Sequence, residues 1–552
     1  MKKTLALLLC AVMLLTLFAA CGGGTNSPAA DSTNAGGNAG TTAGGNAGSG
    51  GEKTKLTAIF SKHPLTKSLS EMEWLTQIQE NAGVEITWEE VSSDWDQKRP
   101  TLLASGDIPD LIFGLRAIRD EDIAQFPGLF QDLSELIDTH APNVQTMFNE
   151  HPETKVIATQ LDGKIYGLPK YQRFWPYTVT RQFINQQWLD NLGLSVPTNW
   201  DELYDVLVAF KEKDANGNGD PNDEIPMDWV PAIDTSAGFG FFHVTALLGG
   251  TGIQLSESAD GFFVEDGVVK NYFLDERYKG LVEFLTKCYK AGLVNPEVFT
   301  QDYSKYQSVA RGNGDTAAVG YTFGWEITDR VGNELAPQYS FLGSLKQNAA
   351  STVTPKWGYD YNVLNYDMNM VTMSAACKDK EAAMRFINEF YDPEVSLQVL
   401  FGSIGTNIEK SADGSYKILP PQDPAMDPGT WKWTSTWADH GAMYISDSLN
   451  VTLSVDMQSI AEQTAPMQAA LDAVQAKDIL PRTFIKLTLE DNNTLALVRP
   501  NVLMLAMTKW ANWITGTEDV QTGWDQYLKD MEATGIADLT AIWQKYYDEY
   551  NK

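Results

Sequence analysis

The sequence predicts an α/β fold for the part of the chain that follows residue 52. Short apolar segments of strand type alternate there with amphipathic helical segments, a pattern typical of helices layered on a largely parallel sheet. About 500 residues remain after that position, more than one simple core accommodates, and we therefore expect two or three compact units. The chain contains 16 Trp, 21 Tyr and 23 Phe, a composition that argues against a disordered protein.

The alternation of strands and helices begins directly after residue 54. A β-type run is followed by a helix with one apolar face and a glycine stop at Gly83, and then by a strand in which apolar residues alternate. A helix end and a buried apolar strand come next. In order, these elements are the strand Lys55–Phe60, the helix Met72–Asn81, the strand Val84–Trp88, the helix end Leu102–Ser105 and the strand Ile108–Phe113.

Later segments continue this pattern, and the last third of the chain is rich in helices. Asp162–Pro169 has the residues of a turn, a short strand and a break. Thr198 occupies the N-cap position of a helix, with Asp201 three residues further on. The apolar faces of the predicted helices carry Leu203, Val206, Leu207 and Phe210, then Ala383, Phe386, Ile387 and Phe390, and finally Leu539, Ile542, Trp543, Tyr546 and Tyr550.

The first 21 residues have the pattern of a secretory leader. Lys2 and Lys3 precede an apolar run from Leu5 to Ala20, which is shorter than the roughly 20 residues that cross a membrane. Cys21 follows two alanines and resembles the bacterial lipobox, whose Cys is lipid-modified and forms the new N-terminus. An ordinary cleaved leader with an incidental Cys is the alternative. We expect residues 1–20 to be a signal peptide and Cys21 to carry a lipid.

A low-complexity segment separates this leader from the rest of the chain. Residues 21–52 are mostly Gly, Asn, Ala, Ser and Thr, which have too little apolar bulk to form a core. A flexible coil of this length reaches roughly 30 Å. We therefore expect a tether that holds residues 53–552 at the extracellular face of the cell membrane, with attachment through the lipid only.

Charge and cysteine content exclude several classes of protein. The net charge of −31 repels phosphate backbones, so nucleic acid is not an expected partner. Cys288 and Cys377 are too few and too distant for a disulfide framework, and we expect two buried thiols, although an extracellular location would permit them to pair. The five His are scattered singly, which gives no support to a zinc or thiol enzyme.

Several phrases, in one order behind the lipobox, resemble a single family. They are Leu102–Ile112, Asp162–Pro169, Trp188–Leu194, Pro197–Leu203, Glu381–Ile387 and Gly516–Tyr550. Together they are similar to the large extracellular solute-binding lipoproteins of family 1, which serve ABC importers in Gram-positive bacteria. That family is related to maltose-binding and alginate-oligosaccharide-binding proteins. The resemblance extends over essentially residues 55–550.

The resemblance implies a two-lobed periplasmic-binding-protein-like fold with crossing hinge strands and a helix-rich C-terminal part. Ligand would be captured in the cleft by hinge closure and passed to ABC permease subunits in the membrane. The expected N-lobe comprises roughly residues 53–170 and 365–445, and the C-lobe roughly 171–364 and 446–552. We expect a monomer that binds a carbohydrate, most readily an oligosaccharide; a peptide or another solute is the alternative ligand.

The segment from Asp214 to Ile225 is the sharpest chemical motif of the sequence. Oxygen-bearing side chains fall at positions 1, 3, 5 and 7 of a loop, and Gly219 stands at position 6, where an EF-hand loop turns sharply. Ile225 stands where an EF-hand has its bidentate Glu, and an acidic pair precedes it. The predicted structural calcium ligands are Asp214, Asn216, Asn218, Asp220, Asp223 and Glu224. A similar loop in the alginate-binding relatives is closed by an acidic pair, although here the loop is one residue longer. A solvated acidic turn is the alternative.

Aromatic clusters are the candidate ligand contacts. Sugar rings present apolar C–H faces between hydroxyls, so carbohydrate sites combine flat aromatic walls with a few polar groups. Trp325 is the first candidate, followed by Trp175, Tyr359 and Trp433. Asp110 is a candidate polar contact because sites in α/β proteins gather beyond the carboxyl ends of strands. Each aromatic residue could instead belong to a core.

The sequence contains no recognisable catalytic set. No Gly-x-Ser-x-Gly, His-Glu-x-x-His or phosphate-binding glycine loop is present, and no pair of the 72 acidic residues is singled out. We therefore expect a protein that is not an enzyme. A surface glycoside hydrolase and an adhesin with a flat aromatic patch remain alternatives.

Overall fold

Two main sheets surrounded by helices make up the computed structural model. The structure describes residues 53–552 apart from 175, 177, 231–238, 240, 256–259, 313, 359–364, 424, 425 and 427. The strands are β1 Thr54–Ser61, β2 Val84–Val91, β3 Leu111–Gly114, β4 Gly167–Tyr171, β5 Arg181–Asn185, β6 Ile225–Met227, β7 Phe262–Glu265, β8 Val268–Asn271, β9 Val319–Gly324, β10 Tyr339–Phe341, β11 Tyr366–Met373, β12 Ile408–Lys410, β13 Tyr416–Ile418 and β14 Val451–Thr452. The α/β prediction is confirmed.

The helices connect these strands in the first half of the chain and dominate the second. They span Glu73–Ala82, Trp95–Ser105, Asp120–Gln125, Ser134–His140, Pro142–Glu150, Pro152–Ala158, Gln186–Leu192, Trp200–Glu212, Glu276–Lys290, Tyr303–Ala310, Ile327–Val331, Lys380–Glu389, Pro393–Phe401, Pro428–Ser435, Val455–Thr464, Gln468–Asp472, Leu489–Thr515, Val520–Ala533 and Ile536–Tyr550. None of the helices in the described part of the chain is both long and apolar enough to cross a membrane.

The first sheet has five strands in the order β2-β1-β3-β11-β4. β2 and β3 run parallel to β1, whereas β11 runs antiparallel to β3 and to β4. Leu111 and Phe113 point into a large core that includes Trp74 and Phe386 of flanking helices. Ile112 belongs to a smaller core on the other face, because successive side chains of a strand alternate between faces. Helices therefore cover both faces.

The second sheet has four strands in the order β10-β5-β9-β6. β5 is antiparallel to β9, and β6 is parallel to it. Its core also includes side chains of the three C-terminal helices, among them Trp510, Trp524 and Trp543. Trp510 stacks on Tyr278 of the helix Glu276–Lys290, with ring centroids 5.7 Å apart. The C-terminal helices are thus packed onto the second sheet.

Three crossing segments lead from the core of the first sheet to the core of the second, and hydrogen bonds link them to one another. They comprise residues 172–180, 342–365 and 446–464, of which 175, 177 and 359–364 lie outside the described residues. At the first sheet, the N–H of Gln172 donates to the carbonyl of Asn365 at 2.9 Å, and the N–H of Ile445 donates to the carbonyl of Tyr171 at 3.0 Å. At the second sheet, Nε1 of Trp357 donates to the carbonyl of Thr180 at 2.8 Å.

Three local predictions need correction. The predicted strand Ile108–Phe113 begins only at Leu111, since Pro109 has no N–H to pair with β1. Pro169 does not end its strand but lies inside β4, opposite the stretch of β11 where the register shifts. The N-cap of the helix Trp200–Glu212 is Asn199 and not Thr198, because the Asn199 side chain accepts the N–H of Glu202.

The two cysteines of the described chain are buried and unpaired, as predicted. Cys288 is 0% exposed and lies in the core of the second sheet, whereas Cys377 is 3% exposed and lies in the core of the first. Burial raises the pKa of both thiols to about 12. They therefore behave as small core residues without thiol chemistry at neutral pH.

Candidate functional site

The first crossing segment joins the edge of the first sheet at which β1, β3 and β4 end to the edge of the second sheet at which β9 ends. β1, β3 and β4 all end at one edge of the first sheet. In the second sheet, Arg181 at the start of β5 pairs with Gly324 at the end of β9. Residues 172–180 lead from the first edge to the second and reach at most about 35 Å when extended. Ligand sites of open α/β sheets lie beyond such edges, so these two edges form the candidate site.

At the first edge, Trp433 belongs to a compact aromatic group. Its ring stacks on that of His63 with centroids 3.9 Å apart and meets the ring of His440 edge-on at 5.6 Å. His63 follows the end of β1, and Nδ1 of His440 lies 3.0 Å from the carbonyl oxygen of Ser61. That contact identifies Nδ1 as the nitrogen of His440 that carries a proton. We call His63, Trp433 and His440 the Trp433 cluster.

A carboxylate held by two ammonium groups lies next to the Trp433 cluster. Nζ of Lys170 is 3.0 Å from the carbonyl oxygen of Asp439 and 3.5 Å from its Oδ1, and Nζ of Lys432 is 3.0 Å from its Oδ2. Burial lowers the pKa of His63, His440 and Lys432 below their ordinary values. The histidines are therefore neutral at pH 7, and the edge offers aromatic faces together with hydrogen-bond donors and acceptors.

At the second edge, Arg181 holds Trp325. Nη1 of Arg181 donates to the carbonyl of Trp325 at 2.5 Å, and the guanidinium lies 5.0 Å from the centroid of its ring. The same guanidinium donates to Thr178 and Thr464, at 3.1 and 2.9 Å, so it links two crossing segments. Burial lowers the pKa of Arg181 to about 9, and Glu326 opposes that effect. Trp325 is partly buried and packs against the core of the first sheet, although it follows a strand of the second.

A buried ion pair supports the segment that follows Trp325. Nη2 of Arg330 lies 2.9 Å from Oδ2 of Asp228, and the two side chains are 1% and 0% exposed. Asp228 directly follows β6, and Asn295 and Gln301 donate to its other oxygen at 3.0 Å each. Arg330 also donates to Thr322 of β9 at 3.1 Å. This network anchors the short helix Ile327–Val331 to the carboxyl edge of the sheet.

Asp110 does not lie at the carboxyl edge of the first sheet. The reason for predicting it as a ligand contact therefore no longer holds. It precedes β3, so it stands at the amino end of that strand and not beyond a carboxyl end. Its Oδ2 accepts hydrogen bonds from the N–H and the hydroxyl of Thr57, at 2.8 and 2.9 Å. The carboxylate therefore joins β1 to the start of β3. Of the other candidates, Trp175, Tyr359 and the lipidation candidate Cys21 lie outside the described residues.

The acidic loop brings all six of its predicted ligand residues into one turn. Asp214 accepts the N–H groups of Asn218 and Gly219 at 3.0 and 2.8 Å. Asp223 accepts Nδ2 of Asn216 and of Asn218 at 2.9 and 2.6 Å. The N–H of Asp220 donates to Oδ1 of Asn218 at 2.8 Å. Gly217 and Gly219 have φ of 75° and 95°, the left-handed conformations that such a tight turn requires.

Glu224 gives this loop an unsatisfied buried oxygen. Its Oε1 accepts the N–H of Ala215 at 2.8 Å, whereas its Oε2 is buried without a hydrogen-bond partner among the described residues. Burial raises the pKa of Glu224, and the charge of Asp223 adds to that effect. A cation bound to Oε2 of Glu224 would supply the partner that this oxygen lacks. The side chains of the loop are therefore suited to bind a cation. Within the described ranges, however, no group of three or more His, Cys, Asp or Glu side chains forms a metal site by itself.

Sequence reasoning missed most of the polar residues at the two edges. His63 and Asp439 are separated by more than 370 positions in the chain and carry no local motif. Arg181 is the first residue of β5, and nothing in the neighbouring sequence distinguishes it from other charged residues at strand ends. Among the described residues of the two edges, Trp325 and Trp433 are candidates that the sequence suggests, because aromatic side chains beside turn residues stand out in a sequence.

Comparison with known proteins places the chain among relatives of the same architecture. The family model for bacterial extracellular solute-binding proteins matches residues 66–396. FusA, the fructooligosaccharide ABC transporter substrate-binding protein of Streptococcus pneumoniae serotype 4 (strain ATCC BAA-334 / TIGR4), is 29% identical over 522 residues, which are 90% of this chain and 91% of FusA.

Solved structures agree with the sequence comparison. An HMO binding ABC-transporter associated solute-binding protein from Bifidobacterium longum infantis ATCC 15697 is 30% identical, covers 91% of this chain and 99% of its own, and superposes with a TM-score of 0.83. FusA with kestose, and an EF-hand mutant of FusA with fructo-nystose, each give a TM-score of 0.77 at 26% identity, covering 90% of this chain and 99% of FusA. With a family match over more than half its length, the chain belongs to the bacterial extracellular solute-binding proteins.

Proposed function

We propose that this protein captures an oligosaccharide between the carboxyl edges of its two sheets and delivers it to an ABC permease. The observation that carries the proposal is the arrangement of Trp433 on one edge and Trp325 on the other, with crossing segments between them. Aromatic faces beside a fixed carboxylate suit sugar rings, which alternate apolar and hydroxyl surfaces. FusA and the bifidobacterial protein, which bind oligosaccharides, support the same ligand class.

The two lobes in this proposal are those predicted from the sequence, roughly 53–170 with 365–445 and 171–364 with 446–552. The distribution of buried residues supports this division. One core extends from Leu56 to Tyr171 and resumes from Tyr366 to Ile445, with Phe484 added. The other extends from Phe183 to Trp357 and resumes from Met467 to Tyr547. Hinge motion at the three crossing segments would open and close the cleft, and ligand contacts would favour the closed form.

Delivery of the ligand to a permease requires that the protein stay close to the membrane. The leader and Cys21 would attach the mature protein by a lipid to the extracellular face of the membrane, and residues 22–52 would act as the tether. A binding protein in this position acts as a monomer and releases its ligand unchanged. The relatives named above are solute-binding proteins, which supports a role without catalysis.

Sugar binding is tested by calorimetry on the mature protein with fructooligosaccharides, milk oligosaccharides and peptides. Trp433→Ala is expected to weaken binding about tenfold or more, because it removes one aromatic face of the site. Tyr550→Ala, at the exposed end of the last helix, is the matched control and is expected to leave affinity unchanged. Chromatography of the incubated sugars should show no products. Binding of peptides alone, or release of shorter sugars, would overturn the proposal.

We further propose that the acidic loop binds calcium as a structural ion. Asp214, Asn216, Asn218, Asp220, Asp223 and Glu224 would hold it, and the ion would supply the counter-charge that Oε2 of Glu224 lacks. The loop directly follows the helix Trp200–Glu212 and leads into β6, so an ion there would brace the second sheet. The EF-hand of FusA supports the same reading.

Calcium binding is tested by thermal unfolding with and without chelator. Added calcium at a hundred times its dissociation constant is expected to stabilise the native state by about 2.7 kcal/mol, because it binds the folded loop only. Glu224→Gln keeps the acceptor for Ala215 and removes the charge, so most of this gain should be lost. Glu212→Gln, exposed at the end of the preceding helix, is the matched control. Identical unfolding curves for the wild type in calcium and in chelator would contradict the prediction.

A further inference from the structure

Two Asn-Gly dipeptides follow one another in the acidic loop, Asn216–Gly217 and Asn218–Gly219. Of a third, Asn313–Gly314, the asparagine lies outside the described residues. An asparagine side chain can react with the backbone nitrogen of the next residue, and glycine has no Cβ to hinder the approach of that nitrogen. The acidic loop therefore holds two candidate sites of this reaction.

The side-chain carbonyl of each asparagine in the loop is turned back towards the glycine that follows it. Oδ1 of Asn216 accepts the N–H of Asn218 at 3.0 Å, and Oδ1 of Asn218 accepts the N–H of Asp220 at 2.8 Å. Each hydrogen bond closes a ring that contains the intervening glycine. An N–H donor at a carbonyl oxygen also stabilises the negative charge that develops there when a nucleophile adds to the carbon. Both side chains are therefore arranged as electrophiles.

The backbone nitrogens of the two glycines differ in their hydrogen bonds. The N–H of Gly219 donates to Oδ2 of Asp214 at 2.8 Å. Among the described residues, the N–H of Gly217 finds no such acceptor, and Gly217 is exposed. A nitrogen whose N–H is bonded to a carboxylate must give up that bond before it attacks, and bonds to charged groups are the strong ones. Gly217 is therefore the better nucleophile of the two.

We propose that Asn216 is a site of spontaneous deamidation, whereas Asn218 is largely spared. The backbone nitrogen of Gly217 forms a bond to Cγ of Asn216, the bond between Cγ and Nδ2 breaks, and Nδ2 leaves as ammonia with the proton of the Gly217 N–H. Water then opens the cyclic imide at either carbonyl and gives aspartate or isoaspartate. Water is the only co-reactant, and nothing is oxidised or reduced. The reaction requires neither a bound sugar nor a bound ion, so the inference goes beyond the proposed function.

Conversion would change the charge of the loop where Asn216 meets Asp223. Nδ2 of Asn216 donates to Oδ1 of Asp223 at 2.9 Å. An aspartate at this position would face Asp223 with a second carboxylate, and two like charges so close together repel each other. A cation would relieve the repulsion, so the stability of a converted loop depends more strongly on calcium. This consequence rests on the proposed calcium site, whereas the reaction itself does not.

The inference is tested by peptide mapping with mass spectrometry, after incubation of the mature protein in chelator at neutral pH and physiological temperature. Aspartate and isoaspartate are expected to accumulate at Asn216 about tenfold faster than at Asn218, the effect of one hydrogen bond to a carboxylate. The same protein unfolded in urea is the matched control. Both asparagines are followed by glycine, so without the folded loop their rates should be similar.

The variant Asp214→Asn tests the role of the carboxylate that holds Gly219. Its neutral side chain accepts a weaker hydrogen bond from Gly219, so conversion at Asn218 is expected to rise severalfold towards the rate at Asn216. Asp201→Asn, exposed on the preceding helix Trp200–Glu212, is the control and should leave both rates unchanged. Thermal unfolding verifies that each variant folds.

The possible results separate this inference from the calcium proposal. Equal conversion at Asn216 and Asn218 in the folded protein, or faster conversion at Asn218, would overturn the inference. It is also overturned if the folded protein converts at neither residue while the unfolded protein converts at both. Every incubation contains chelator, so identical unfolding curves in calcium and in chelator would overturn the calcium site and leave the deamidation of Asn216 standing.

Discussion

Replacing Asp228 with asparagine is expected to lower the free energy of unfolding by about 3–5 kcal/mol. Asp228 and Arg330 are 0% and 1% exposed, and their charged atoms lie 2.9 Å apart. Asparagine preserves the size of the side chain but removes its charge, so the guanidinium of Arg330 would remain buried without a counter-charge. Denaturant titration followed by tryptophan fluorescence measures the loss.

An exposed ion pair provides the control for this prediction. Glu297 and Lys305 lie 3.6 Å apart and are 53% and 52% exposed, so Glu297→Gln is expected to cost no more than about 1 kcal/mol. The double variant Asp228→Asn with Arg330→Met should recover part of the loss, because it buries no lone charge. Equal losses of unfolding free energy for Asp228→Asn and Glu297→Gln would contradict the prediction, because the buried pair would then contribute no more to stability than the exposed pair.

The same variant is expected to weaken ligand binding. Arg330 anchors the helix Ile327–Val331, which directly follows Trp325 and Glu326. If that helix loosens, Trp325 loses its fixed position at the carboxyl edge of the second sheet. Calorimetry at a temperature where the variant is still folded separates this effect from global unfolding.

Acidification is expected to destabilise the protein through His243. Its ring is fully buried between Phe239 and Trp510, with centroid distances of 4.7 and 5.4 Å. Burial lowers its pKa to about 3, from an ordinary value of 6.5. The unfolded chain binds a proton at this histidine below about pH 6.5, whereas the folded chain does not until about pH 3. Stability present above pH 6.5 is therefore lost as the pH falls, by about 2 kcal/mol between pH 7.5 and 5.

His243→Asn isolates this contribution. Nδ1 of His243 accepts the N–H of Thr245 and caps the helix Val244–Thr251; asparagine also caps helices but does not titrate. The free energy of unfolding, measured from pH 7.5 to 5, should fall less steeply in the variant than in the wild type. His63 and His440, whose pKa values are also lowered, contribute with the same sign in both proteins. Equal slopes would contradict the prediction, whatever the difference in absolute stability.

The acidic loop and the helices could be predicted from the sequence because their determinants are local. Six oxygen-bearing side chains and Gly219 lie within eleven consecutive residues, and the turn that brings them together is fixed by their spacing. The helix Trp200–Glu212 likewise follows from its own apolar face, and only its cap shifted, from Thr198 to Asn199. Such elements depend on contacts between residues that are close in the chain. The spacing of these residues can therefore be recognised in the sequence.

The side chains that meet at the carboxyl edge of the first sheet could not be predicted in the same way. His63 and Trp433 stack although 370 positions separate them, and Asp439 meets Lys170 across 269. Neither pair leaves a trace in local sequence. Asp110 shows a different error, because its carboxylate was expected beyond the carboxyl end of a strand, whereas the residue directly precedes β3 and lies at its amino end.

The sequence by itself determined the α/β class, the buried thiols, the acidic loop and the expectation of a tethered, acidic binding protein. These follow from composition and from periodicity within single segments. The tertiary structure decided which side chains share the carboxyl edges and how Arg181 links two crossing segments to Trp325. Those features arise when strands distant in the chain pair side by side. Their positions depend on strand order and register, which are set by the packing of the whole molecule.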